Sequence, residues 1–195
     1  MKHFKNFKTC VYCTAQTLAS LDETTLARDY AYLEKYVGID KVYLETYRDG
    51  TWVAIDHMKM IQNFFKEHGV EIAGGITTVT PPLEKDDVKR QRLFQTFCYS
   101  NEAMRTYLKK IVTYTAELFD EIILDDFFFT SCTCDDCLRE RSNLSWAEFR
   151  SKKMIDVAEN LVLKPAKLAN PSVKVTIKYP NWRESYHETG YVPKI

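Results

Sequence analysis

An α/β fold built on a parallel sheet is what this sequence predicts, and three observations carry the expectation. Short β-prone apolar runs recur five times along 195 residues. Segments with helical spacing of apolar residues separate them in strict alternation, the pattern of parallel strands joined by right-handed crossovers. Hydrophobic residues make up 45% of the chain and charged ones 28%, which is enough apolar material to bury a core.

Residues 8–14 read as the first strand. A first helix follows the capping-box pair Ser20 and Glu23, because Leu26, Tyr30, Leu33 and Val37 then recur at intervals of four, three and four on a face that ends at Gly38. Residues 41–46 are short and β-prone and break at the turn pair Asp49-Gly50, as a buried strand would. Met58, Ile61, Phe64 and Phe65 mark a second helix, closed by His68 and Gly69. A third strand over 70–79 contains Gly74-Gly75 and stops at Pro81-Pro82. The third helix, 102–119, carries Ala103, Tyr107, Ile111, Tyr114 and Leu118 on one face. It leads into a fourth strand over 121–129, an apolar run interrupted by Asp125 and Asp126. Ser145 and Glu148 repeat the capping-box spacing before a fourth helix that should end before Pro165. Asn170-Pro171 precedes the last strand, 173–179.

Two architectures fit such alternation: an open doubly wound sheet, or the first five units of an eight-unit barrel. A complete barrel needs roughly 250 residues. The barrel reading is therefore a TIM-barrel-like fold of about five β/α units, incomplete, in one domain over 1–195. Its first and fifth strands are open edges that a homo-oligomer could cover. The nucleotide-binding sheet would need a glycine-rich phosphate loop after the first strand, and none is present.

Composition narrows the function. Lys and Arg total 27 against 27 Asp and Glu, so nucleic acid is not an expected partner, since binding a duplex calls for excess basic charge. No apolar run reaches the ~18 residues of a membrane span. The basic start, residues 1–8, is not followed by an apolar stretch and a small-residue cleavage site, so a cytoplasmic location is expected, with a secreted or periplasmic one if a leader has been removed. Aromatic residues are 13% of the chain, a hint of surfaces for flat apolar faces such as sugar rings.

Cys132, Cys134 and Cys137 are too closely spaced to pair easily as disulfides, but a tight turn can aim all three at one soft ion. Zinc normally takes four ligands, and Cys98 is the sensible fourth, because it lies on the carboxyl-end face one strand away. The bland alternative is four thiols without a metal. Cys10 and Cys13 sit in a strand, where residues three apart face opposite ways, and read as ordinary buried thiols with redox chemistry a minor alternative.

Asp125-Asp126 closes the Ile122, Ile123, Leu124 run, at the strand end where barrel enzymes keep catalytic groups. Alternation with Leu124 and Ile122 makes Asp126 the inward member. The plainer alternative has both aspartates orienting the cysteine loop. Glu45, Arg48, Thr77, Thr78, Tyr179, Asn181 and Trp182 are the other strand-end residues at this mouth, with Trp182 able to stack a sugar and Arg48 to hold a carboxylate or a substrate oxygen. His187 and Glu188 lie in a stretch without a readable pattern.

The stretch from Asp125-Asp126 through the three cysteines to Trp146, Ala147, Glu148, Phe149 and Arg150, with Cys98 upstream, resembles barrel glycoside hydrolases, most closely the zinc-containing family 42 beta-galactosidases. In that family the same cysteine spacing follows the fourth barrel strand, and an upstream cysteine completes a structural zinc site. The resemblance covers about residues 98–150. It implies hydrolysis of an oligosaccharide or other glycoside by carboxylate acid/base chemistry, with zinc held by Cys98, Cys132, Cys134 and Cys137. Asp126 would be the general acid/base or nucleophile and Asp125 its partner, with Glu45, Arg48, Tyr179, Asn181 and Trp182 positioning the sugar. Two departures stand out. The family ends its fourth strand with Asn-Glu where this chain has Asp125-Asp126, and the family's nucleophile comes from a late strand that has no counterpart here. The rival functions are a non-catalytic carbohydrate-binding barrel fragment and a metal or redox enzyme on an open α/β sheet.

Overall fold

In the computed structural model, residues 4–79, 92–178 and 190–191 are described. The elements run β1 (Cys10–Cys13), α1 (Ala15–Ser20), α2 (Glu23–Tyr36), β2 (Lys41–Arg48), β3 (Thr51–Trp52), α3 (Ile55–Glu67) and β4 (Glu71–Ile76). After a short 3-10 turn (Leu93–Gln95) come α4 (Glu102–Leu118), β5 (Glu121–Leu124), α5 (Asp135–Arg141), α6 (Trp146–Val157), a π-helical segment (Ala158–Leu163), α7 (Lys164–Ala169) and β6 (Lys174–Ile177).

The sheet order is β1-β2-β4-β5-β6 with every neighbouring pair parallel, and β3 adds only an antiparallel hairpin to β2. Each parallel strand is thus laid beside the one before it and always on the same side. A doubly wound sheet would reverse direction at a switch point. Sequential addition through right-handed crossovers, the usual hand, puts the helices on one face, and the other is the side that forms the concave interior when such a sheet winds into a barrel. The α/β parallel sheet expected from the alternation is what folds, and its open form is consistent with an incomplete barrel.

The two faces differ in chemistry. Val42, Leu44, Ile76, Ile122 and Leu124 are buried with Leu18, Met58, Ile61, Leu108, Ile111 and Leu161 of the helical layer in one core. Gly74 permits a close approach on this face: a Cβ there would lie 2.7 Å from both Phe119 and Thr115 at the end of α4. On the opposite face Tyr12 stacks on Tyr43, and Lys41 bonds Glu121 at 2.5 Å.

Several boundaries differ from the sequence expectation. Ser20 ends α1 instead of capping the next helix. Asp22 takes that role, accepting from the Thr25 amide at 2.7 Å while Thr25 Oγ1 accepts from the Asp22 amide at 2.9 Å. The Ser145/Glu148 box forms as expected at the start of α6. β2 runs two residues further, to Arg48, and Asp49 and Gly50 then take left-handed φ values of 52° and 77° that fold the chain back into β3. β4 stops at Ile76, leaving Val79 only a bridge to Thr96, and β5 stops at Leu124, where a turn follows with Phe128 N donating to Asp125 O. Pro165 does not end its helix. The wider π turn before it accommodates the missing amide and the ring that would press on the carbonyl four residues back, and Pro165 sits in the first turn of α7. The helix α5 carries no signal strong enough to be expected. Cys10 is exposed and Cys13 only part-buried, so the expectation of two buried thiols is corrected. No described helix is long and apolar enough to cross a membrane.

Candidate functional site

A bulge in β2 builds the site. Glu45 pairs with Gly75 and Tyr47 with Ile76, so Thr46 is the extra residue. Regular alternation would put Glu45 and Tyr47 on one face and Thr46 and Arg48 on the other. With the bulge, Thr46 bonds Thr115 at 2.6 Å on the helical side and Tyr47 packs among Trp52, Tyr107 and Phe97. Arg48 returns to the concave side, three residues from Glu45 and in contact with it.

Glu45 has no solvent exposure. Its Oε1 accepts from Tyr12 OH at 2.8 Å, its Oε2 accepts from the Ala15 amide at 2.7 Å, and Thr77 Oγ1 donates to it as well. Arg48 Nε donates to both carboxylate oxygens, at 3.1 and 2.9 Å. The other end of that guanidinium, Nη2, reaches Thr77 Oγ1 at 2.9 Å and Asp125 Oδ2 at 3.0 Å. Lys178, just past β6, bridges the two aspartates, 3.0 Å from Asp125 Oδ1 and 3.1 Å from Asp126 Oδ2. Residues from the end of β2 and from just past β4, β5 and β6, with Tyr12 of β1, therefore meet at the carboxyl end of the sheet.

The electrostatics follow from this crowding. Burial, then the Glu45 charge, push the Tyr12 hydroxyl well above its usual range. Burial works against the Arg48 cation, but the bonds to Glu45 outweigh it and the guanidinium is held more firmly protonated. Lys178 is likewise raised, the two aspartates outweighing its partial burial.

Of the residues expected at this mouth, the structure brings Glu45, Arg48, Thr77, Asp125 and Asp126 together. The orientation expected for the aspartate pair is corrected. Ile122 and Leu124 face the helices, so alternation places Asp125 on the concave side, and among the described residues Asp126 joins the network only through Lys178. Tyr179, Asn181 and Trp182, with His187, Glu188 and Pro81-Pro82, lie outside the described residues. Tyr12 and Lys178 were not expected here. Their only sequence signal is a polar side chain near a strand end, which is too common to single them out.

Cys98, Cys132, Cys134 and Cys137 meet beside this rim, their sulfur atoms all within 4.8 Å of one another. Cys98 Sγ is 3.6 Å from both Cys134 and Cys137, and those two are 3.8 Å apart. These distances are far beyond a disulfide bond. They match the edges of a tetrahedron, about 3.8 Å for arms of about 2.3 Å to a central ion. Cys137 and Cys98 donate to Cys132 and lower its pKa strongly, while the bond to Cys132 raises Cys98 and pushes Cys137 up to about 12. Four sulfur donors gathered this closely are a set that suits a soft metal ion.

A family model described as a probable glycosyl hydrolase, catalytic domain, matches residues 1–193. The chain is also 33% identical, over an alignment of 210 residues, to an uncharacterized protein of Saccharolobus solfataricus, covering 95% of this chain and 34% of that protein. It thus spans about a third of the length of the curated relative it matches. With its model matched over nearly the whole length, this chain belongs to the family of probable glycosyl hydrolase catalytic domains.

Proposed function

We propose that the chain is one TIM-barrel-like domain that hydrolyses glycosidic bonds of an oligosaccharide or other glycoside, with Asp126 and Asp125 as the working carboxylates and a structural zinc beside them. The observation that carries the reading is the strand-end cluster of Glu45, Arg48, Asp125, Lys178 and Asp126 in a chain of this family. Glycoside cleavage needs one carboxyl group to protonate the leaving oxygen and a second to attack the sugar or activate water. Asp126 is the outer of the two aspartates and takes the acid/base role. Asp125, fixed from two sides by Arg48 and Lys178, is its partner. Glu45 is enclosed by its own donors, so it serves as the anchor that aims Arg48 rather than as a group touching sugar. Tyr179, Asn181 and Trp182 follow β6 directly and are proposed to line the sugar site.

Zinc on Cys98, Cys132, Cys134 and Cys137 would have no open position, so its part is to tie loops together. The cysteine spacing is the ground for placing the chain closest to the family 42 beta-galactosidases. The open edges, β1 and β6, are where a second copy or further strands would pair. The test is hydrolysis of a panel of nitrophenyl glycosides by the wild type and by Asp126→Asn. The variant should lose at least a hundred-fold in kcat, by analogy with about 10²–10⁴ for general acid/base groups, at an unchanged melting temperature. Retained activity removes Asp126 from the mechanism.

A non-catalytic carbohydrate-binding role is favoured by one observation, the two cations already committed to Asp125. Saccharide binding by calorimetry without turnover would select it.

A further inference from the structure

One feature of the rim plays no part in the carboxylate network. Phe94, in the turn between β4 and α4, has φ 53° and ψ 20°, and Gln95 after it has φ 56°. Two successive non-glycine residues in the left-handed region, one of them bulky, persist only where the surroundings hold them, and such strain concentrates at functional sites. Here the surroundings do hold them. Gln95 N donates to Arg92 O at 3.1 Å, Thr96 N to Leu93 O at 3.3 Å and Phe97 N to Thr78 O at 3.1 Å. Leu93 N donates to Ser131 Oγ at 2.9 Å, next to Cys132, while Cys98 lies four residues beyond Phe94, so the sulfur cluster braces the turn on both sides. The result of this bracing is a phenylalanine left 59% exposed as a residue.

That ring stands edge-on to Phe127 at 5.5 Å and lies 6.5 Å from Phe129. Phe127 in turn lies 5.7 Å from the Arg48 guanidinium, and the same guanidinium bonds Asp125. An aromatic wall therefore runs without a break from solvent to the carboxylates. We propose that the exposed face of Phe94, backed by Phe127, is a stacking platform for a pyranose ring or aromatic aglycone of the substrate, in a subsite next to the cleavage point. The C–H face of a sugar is the flat apolar partner that a rigidly held ring suits. This inference rests on the glycoside-hydrolase reading. Leu93, 52% exposed on the same turn, separates it from a protein-docking patch: a protein partner would use both side chains, whereas a sugar stacks on the aromatic one alone.

The experiment compares wild type, Phe94→Ala, Phe94→Trp and Leu93→Ala on whichever nitrophenyl glycoside the wild type cleaves fastest. KM for Phe94→Ala should rise about ten-fold, a change of the size one aromatic contact supplies, and by more than kcat falls. Phe94→Trp should restore KM to within about two-fold, and its indole emission should shift on titration with galactose or lactose. Leu93→Ala should keep the wild-type KM. A Phe94→Ala protein with wild-type KM overturns the platform and leaves the hydrolase reading intact. Equal KM increases in Phe94→Ala and Leu93→Ala also overturn it. An emission shift in Phe94→Trp without any turnover keeps the platform and removes the hydrolase reading, and neither turnover nor a shift removes both.

Discussion

Glu45 shows how much depends on single side chains here. A carboxylate with no exposure must have its oxygens satisfied inside the protein, and Tyr12, Ala15, Arg48 and Thr77 supply four donor groups. Removing one donor leaves three, so Tyr12→Phe should cost about 1.5 kcal/mol at neutral pH, the low end for a hydrogen bond to a charged group. The pH dependence has a definite sign. The Tyr12 hydroxyl is raised in the folded state, so the unfolded chain releases that proton first, and the stability it supports is complete below pH ~10 and falls as the pH climbs further. Tyr47 and Tyr99 are raised by burial too, but they contribute equally to both proteins. Urea unfolding from pH 7 to 11 should therefore show the wild-type advantage over Tyr12→Phe shrinking above pH 10. An advantage that stays constant there contradicts the placement. At this scale the sequence names Glu45, Arg48, Thr77 and Asp125 by their positions at strand ends. It does not reveal Tyr12 or Lys178, nor which aspartate faces inward, because facing depends on register and on the bulge at Thr46, which are tertiary choices.

Between elements, β4 packs closely on the end of α4. A methyl group at Gly74 would sit 2.7 Å from Phe119 and from Thr115, both buried, so neither neighbour has room to yield. Gly74→Ala should lower stability by about 2 kcal/mol, typical of overpacking, and chemical denaturation would measure it. At Gly75, on the opposite face, the same methyl meets only the far end of Tyr12, 2.6 Å from its hydroxyl, so that substitution should disturb the site more than the core. A Gly74→Ala protein as stable as wild type would mean that β4 and α4 are not in this contact. The pair was legible as part of a strand and its reason was not, since glycine in a strand looks the same whether a helix or a side chain lies over it. Helix ends divide along a similar line. Ser145 and Glu148 are read correctly because the whole signal is local. Ser20 misleads because Asp22, an equally good cap, forms a better one two residues on, and Pro165 misleads because a π turn absorbs it.

For the whole molecule, alternation alone implies parallel strands but not their order, since a doubly wound sheet and a barrel share the same linear pattern. The sequential order emerges only in three dimensions, and it is the order that sets Cys98, after β4, beside Cys132, Cys134 and Cys137, after β5. A metal on these four sulfurs would close a loop spanning Cys98 to Cys137, a separation of 39 residues. Treated as a cross-link, closure of that size is worth about 4 kcal/mol of unfolded-chain entropy, or roughly 10 °C in Tm for a chain of this length. Elemental analysis should find about one zinc per chain. A chelator strong enough to strip it should lower Tm by that order, and Cys98→Ser should melt like the stripped wild type with no further response to chelator. Falls that add when the substitution and the chelator are combined would mean that the thiols stabilise the rim by packing alone, because a single ion can be lost only once.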